Sequence, residues 1–323
     1  MNISAEKLAA EAASTGFRQD VLEKVAYLLE LLNALQSHPF LKGKLALKGG
    51  TALNLFVFKI PRLSVDIDLN YVGASSREGM VKDRPKIEQA IQAVFKREGF
   101  AVRRMPDEHA GGKWSLRYKR ASGQGGNLEV DINFMYRVPL WPVTIMNSHR
   151  LGAWQATGIP VVGISELFAG KLAALLSRRK ARDLFDSHKV LKMEGLNLAH
   201  LRIAFVVYGA MNRKDWRTVS LEDVVFDESE LESQLLPTLR AHTIDKKKGA
   251  GSYGEKLVTN CREALSAVLP FNANELDFLN LLLDKGEICP SLLTSDEKLQ
   301  RRIQEQPLLQ WKALNVRKHR GLS

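Results

Sequence analysis

Two aspartates stand two residues apart in Leu63-Ser64-Val65-Asp66-Ile67-Asp68-Leu69-Asn70-Tyr71, a stretch that alternates apolar and polar residues. A period of two belongs to a half-buried β-strand, so Asp66 and Asp68 share one face while Val65, Ile67 and Leu69 share the other. Adjacent carboxylates repel each other unless a cation or a polar network neutralises them. A divalent cation with oxygen ligands meets that need, and Mg2+ shares such carboxylates with phosphates. The alternative is a solvated strand face. A second alternating stretch, Leu128-Glu129-Val130-Asp131-Ile132-Asn133, sets Glu129, Asp131 and Asn133 on one side. If the two strands are neighbours, three carboxylates converge, enough to hold two metals and to orient or deprotonate a hydroxyl. Asp131 is the expected third acid and Glu129 the second choice. Otherwise this is the polar outer face of an edge strand.

Lys48-Gly49-Gly50-Thr51 lies between the apolar run Leu45–Leu47 and a helix-like Ala52-Leu53-Asn54-Leu55-Phe56. Paired glycines there let backbone N–H groups approach a phosphate at a helix start, although most such pairs are only turns. Further on, Leu167, Phe168, Leu172, Leu175 and Leu176 form a helical stripe that also carries Lys171. A lysine on a core-facing stripe either snorkels to water or is aimed at an anion. In Arg178-Arg179-Lys180-Ala181-Arg182-Asp183-Leu184-Phe185-Asp186, Asp183 and Asp186 share a helix face, as do Arg182 and Asp186, and such charges ordinarily form an exposed ion-pair network.

The elements that must position these groups change character along the chain. Helices are expected over the first forty residues, with Asp20 as an N-cap before the stripe Val21, Leu22, Val25, Leu28, Leu29 and Leu32, and again over 84–99. Strands are expected at 100–105, 113–119 and 127–134, with Ser122–Gly126 as a hairpin turn. After Ile164 helical patterns dominate. That shift divides the chain into an α/β domain, 1–160, and a helical domain, 161–323. Asp245–Ser252 reads as an exposed loop.

Gly49-Gly50 followed by Asp66-x-Asp68 and a later strand acid resembles the polymerase-beta-like nucleotidyltransferase superfamily. The longer strings, Lys48–Leu55 and Arg62–Leu69, resemble the AbiEii/AbiGii-type abortive-infection nucleotidyltransferase toxins, as do a Lys171-x-x-Ala174 helix and the following Arg182-Asp183-x-x-Asp186. The likeness spans about residues 45–190. It implies an α+β fold: a polymerase-beta-like nucleotidyltransferase domain with a mixed sheet, then a helical C-terminal domain, with the active site in the cleft between them. It implies transfer of a nucleoside monophosphate from an NTP to an RNA acceptor, the tRNA 3′ end, which blocks translation, in a toxin with a cognate antitoxin encoded nearby. By the same likeness Gly49, Gly50 and Thr51 hold the triphosphate, with Lys48, Arg62, Ser64 and Arg182 also nucleotide-binding. Asp66 and Asp68 bind Mg2+ (or Mn2+), and Asp131 completes the metal site or acts as base. Lys171 contacts phosphate, while Asp183 and Asp186 position the nucleotide or Lys171. Rival readings keep the transferase but change the acceptor to a protein or small molecule, or leave a GTP- or nucleic-acid-binding module without turnover.

Composition is compatible with an RNA partner. The 323 residues carry 47 Lys and Arg against 36 Asp and Glu, a formal charge of +11, which favours polyanions. Arg178, Arg179, Lys180, Lys246, Lys247, Lys248, Arg317, Lys318 and Arg320 are candidate phosphate contacts, or merely solubilising charge. No apolar window is long enough for a membrane span, and the first residues lack the character of a signal peptide. Two cysteines, Cys261 and Cys289, cannot make a disulfide framework and are expected to be small buried residues, consistent with a cytoplasmic protein.

Overall fold

The computed structural model describes residues 3–106, 110–241, 243 and 249–321. The chain divides into two compact units, neither a single stretch. The first comprises Met1–Arg137, Val143–Val162 and Leu236–Asp245; the second comprises Val138–Pro142, Gly163–Leu235 and Lys246–Ser323.

In the first unit, helices α1 (Ala5–Thr15) and α2 (Gln19–Ser37) precede strand β1 (Leu45–Lys48), a short helical turn α3 (Gly49–Thr51) and a π-helical segment, Ala52–Val57. Then come β2 (Asp66–Tyr71), α4 (Arg77–Arg97), β3 (Ala101–Arg104), β4 (Gly111–Lys119), β5 (Gly125–Asn133), β6 (Thr144–Met146) and β7 (Ile159–Val161). The strands form one seven-stranded mixed sheet in the order β3-β4-β5-β2-β1-β7-β6, which puts β2 at its centre. β2 runs antiparallel to β1 and parallel to β5.

Several boundaries differ from expectation for local reasons. Asp20 lies inside the first turn of α2, paired with Arg18 at 3.0 Å, and the cap position falls on Arg18. The strand containing the aspartates begins at Asp66 rather than Leu63. The residues before it pair elsewhere: Arg62 forms a bridge with Leu239, and Leu63 N–H donates to Thr238 O at 2.8 Å. Helix α4 starts at Arg77 because Ser76 caps it through Gly79 N–H at 3.0 Å, and Pro85 is accommodated within it. Gly125 and Gly126 lie in the ladder opposite Lys119 and Tyr118, so the hairpin turn is shorter than expected. β6 and β7 carried no sequence signal.

The second unit is helical: α5 (Ile164–Arg178), α6 (Ala181–Leu191), α7 (Leu198–Ala210), the turn α8 (Glu228–Glu230), α9 (Gly249–Leu265), α10 (Ala273–Asn280), α11 (Glu297–Gln304) and α12 (Pro307–Arg320). α5 packs against α6 and α7, burying the expected stripe Leu167, Phe168, Leu172, Leu175 and Leu176. Gly249–Ser252 open α9 instead of forming a loop. Cys261 is buried as expected, whereas Cys289 is half-buried. Among the described residues no helix is long and apolar enough to cross a membrane.

Glu166 fixes the start of α5. Its carboxylate accepts from Leu140 N–H at 2.9 Å, Trp141 N–H at 3.2 Å and the Tyr208 hydroxyl at 3.0 Å. Burial pushes its carboxyl up to about 7, against the pull of these donors. A carboxyl raised in the folded state contributes stability that is whole below about pH 4 and is lost as pH rises through about 7. Melting temperatures measured from pH 5 to 8 should therefore fall for the wild type relative to Glu166→Gln. Parallel profiles would remove Glu166 from the pH dependence.

Candidate active site

The two acidic stretches are neighbours. In the parallel pairing of β2 with β5, Asp66 stands opposite Glu129 and Asp68 opposite Asp131. Ile67, Leu69, Val130 and Ile132 are buried on the far face, while all four acids are half-buried. On the other side of β2, Asp68 is opposite Lys48, the last residue of β1. Gly49 follows with φ +72°, a left-handed conformation that side chains resist. A Cβ at Gly49 would lie 2.2 Å from Asp68 Oδ2, so the glycine is needed both for its backbone angle and for room beside the carboxylate.

Lysines reach into this cluster. Lys113 of β4 stands opposite Asp131, and its ammonium donates to Glu129 Oε2 at 2.9 Å. The hydrogen bond to Glu129 raises the Lys113 ammonium above its ordinary value, with Asp66 and Asp131 adding to the effect. Lys24 of α2 lies 3.7 Å from Asp66 Oδ1. Neither lysine was singled out from the sequence; the register of β4 against β5 is the signal that finds Lys113.

The donors are of the right kind for a hard divalent cation, yet no three His, Cys, Asp or Glu side chains gather into a metal site among the described residues. That is compatible with Mg2+, which commonly takes one or two carboxylates and fills its remaining positions with waters and substrate phosphates. Asp66 and Asp68 would hold it, with Asp131 adjacent.

The other motif residues divide into two groups. Lys48 is half-exposed, with its ammonium 4.9 Å from the centre of the Tyr136 ring. Thr51, Arg62 and Ser64 are interior. Thr51 Oγ1 donates to Asp66 O at 2.5 Å, Asn54 Nδ2 donates to Gly50 O at 2.9 Å, and Arg62 donates to Leu63 O at 2.9 Å. These contacts fix the backbone path that brings Gly49 and Asp68 together.

In the second unit Lys171 is buried rather than snorkelling, 8% exposed, with its ammonium 2.9 Å from Asp183 Oδ1 and 3.0 Å from Asp186 Oδ2. The expected exposed network is therefore a buried one. Arg178 adds a hydrogen bond to Asp183 at 3.0 Å, and Arg182 is half-exposed on the same helix. Burial would raise the Asp183 carboxyl, but the charges of Lys171 and Arg178 overcome it and hold the carboxyl below its usual range. Of the basic candidates, Arg179 pairs with Asp223 at 3.3 Å and Arg320 with Asp284 at 3.4 Å. Lys246, Lys247 and Lys248 lie outside the described residues.

The fold is that of a nucleotidyltransferase toxin: the solved structure of MenT4, a nucleotidyltransferase toxin from Mycobacterium tuberculosis H37Rv, aligns with a TM-score of 0.63 at 17% identity, covering 96% of this chain and 99% of that one. Among curated proteins no sequence match is found. The chain belongs to the family of AbiEii nucleotidyl transferase toxins of type IV toxin–antitoxin systems, whose model matches residues 30–254. It is thus a nucleotidyltransferase, and the family implies an NTP substrate and a cognate antitoxin.

Two substitutions test this geometry. Gly49→Ala should lower transferase turnover on the order of a hundredfold, the cost of a small displacement at a reacting centre. Its thermal stability should drop only by about 1–2 kcal/mol, the strain of a left-handed residue. Lys171→Met should destabilise the protein by about 3–5 kcal/mol in urea titrations, because it removes the buried charge shared by two buried carboxylates, of which Asp183 keeps Arg178. Adding Asp186→Asn to the same chain should recover part of that loss.

Proposed function

We propose that this toxin transfers a nucleoside monophosphate from an NTP to the 3′ hydroxyl of an RNA, tRNA in particular, in the cytoplasm, and so blocks translation as an abortive-infection defence against phage. The observation that supports this reading best is the β2–β5 register, with Asp68 opposite Asp131 and beside the Gly49 turn. The excess positive charge favours a polyanionic acceptor over a small molecule.

In this reading the half-buried Gly49 offers the triphosphate its backbone beside the Asp68 carboxylate, while buried Gly50 shapes the turn. Asp66 and Asp68 would hold Mg2+, which when bound would offset the charge of the triphosphate. Asp131 orients the acceptor hydroxyl and takes its proton as oxygen bonds to the α-phosphorus and the bond to pyrophosphate breaks. Lys113 competes for the same carboxylates and yields Glu129 and Asp131 when the substrate enters. In the second unit, Asp183 and Asp186 fix the orientation of the buried Lys171 ammonium. The work is positioning and charge neutralisation, which is what phosphoryl-type transfer requires of a protein.

Purified protein incubated with total tRNA, Mg2+ and each labelled NTP in turn should label tRNA with at least one nucleotide. Asp66→Ala and Asp68→Ala should lower labelling on the order of a hundredfold or more while melting as the wild type does. Label entering protein instead would change the acceptor, and no label with any NTP would reject the reading.

A further inference from the structure

Helix α12 turns one face to a groove of about 420 Å³ that belongs wholly to the second unit. Trp311, Asn315 and His319 repeat every four residues on that face, and Lys312, Val316 and Arg320 form the row beside them. The opposite wall is the turn Met211–Arg213 after α7, with Leu283 from the π-helical segment Leu281–Lys285. The helix anchors itself through another face, where Pro307, Leu309 and Ala313 are buried.

Three properties of the groove point in one direction. The Trp311 indole is 58% exposed, a large aromatic surface left uncovered beside apolar Val316 and Leu283. The charged residues of the lining are all basic: Arg213, Lys312 and Arg320, together with His319. Cations in the last turn of α12 suit its helix dipole, but that account does not extend to Arg213, which lies on a different element, or to Lys312, which lies before the last turn. Arg320 pairs with Asp284 at 3.4 Å, an acid already held by Arg217 at 2.7 Å, and Asp215 acts on Lys312 from a distance while paired with Arg217 at 2.7 Å. Lys312 donates to Asn212 O at 2.6 Å, and burial pulls its ammonium below the ordinary value, a cost that a nearby anion would offset.

An exposed aromatic plane flanked by cations is how proteins without base-specific contacts hold single-stranded nucleic acid: the base stacks and the phosphate meets the charge. The volume suits a nucleobase with part of its sugar. We infer that this groove binds an unpaired nucleotide of the RNA acceptor, with the base stacked on Trp311 and the adjoining phosphate held by Arg213 and Arg320. The inference rests on the RNA reading of the acceptor, and adds a binding subsite outside the acidic strand face.

Fluorescence anisotropy of the full chain with a short fluorescein-labelled single-stranded RNA tests it. Trp311→Ala should weaken binding roughly tenfold or more, while Trp311→Phe, which keeps a stacking ring, should stay close to wild type. Arg213→Glu should weaken binding and flatten its salt dependence. Trp311 is exposed, so its loss should leave the melting temperature unchanged and the affinity readable. Wild-type affinity in Trp311→Ala, or no RNA binding by the wild type, overturns the proposal. So does loss of polyglutamate binding in Trp311→Ala with RNA affinity unchanged, which would give the groove to an acidic polypeptide. The two readings fail separately. Labelled tRNA with Trp311-independent affinity leaves the transferase reading standing, whereas Trp311-dependent RNA binding without label removes RNA as the acceptor and leaves the groove.

Discussion

Four carboxylates on adjacent positions of two paired strands is an arrangement that folding on its own would avoid. Asp66 and Asp68 alternate along β2, Glu129 and Asp131 stand directly across on β5, and like charges in that relation destabilise a sheet. The first unit tolerates the repulsion because the opposite face of the same strands is buried and apolar, through Ile67, Leu69, Leu128, Val130 and Ile132. Burial of that face contributes on the order of 1.5–3 kcal/mol per large side chain, more than half-exposed carboxylates lose through screened repulsion. Lys113 and Lys24 reduce the strain further from β4 and α2. The cluster is thus half-exposed, with two ammonium groups as its counter-charge.

The second unit handles acids in the opposite way. Asp183 and Asp186 are withdrawn from water, and their counter-charge, Lys171, is buried with them. Desolvating an ion pair costs about as much as its attraction returns, so the cluster adds little net stability while complete, yet removing one partner is severe. Its value lies in geometry: two carboxylates fix one ammonium in a single orientation between α5 and α6. One acidic cluster is therefore half-exposed and the other is closed.

Much of this was legible in the sequence because a period of two assigns faces without reference to partners. Asp66, Asp68 and Asp131 could be placed on strand faces, and the stripe around Lys171 on a helix, from spacing alone. What spacing does not give is adjacency. That β2 pairs with β5 in parallel, four elements apart in the chain, is a property of topology, and Lys113 enters the site only through that topology. β6 and β7 carry no such signal because three-residue strands, one containing Pro160, are too short for any periodicity. The alternation runs back through Leu63–Val65, yet β2 starts at Asp66 because Arg62 and Leu63 bond to Leu239 and Thr238.

The motif string itself shows why a short sequence pattern can identify a site without naming its contacts. Of Lys48-Gly49-Gly50-Thr51-Ala52-Leu53-Asn54, the residues with hydrogen-bonding side chains after Gly50 turn inward, Thr51 to the carbonyl of Asp66 and Asn54 to that of Gly50. Thr51 thereby ties the helical turn to β2 at the residue that carries the first acid, and the β1–β2 pairing brings Asp68 level with Lys48. Gly49 then has to be a glycine, because the same two constraints aim the Asp68 carboxylate at the space a Cβ would fill. The motif is thus mostly scaffold: its inward-turned side chains hold a backbone turn and an aspartate in mutual contact.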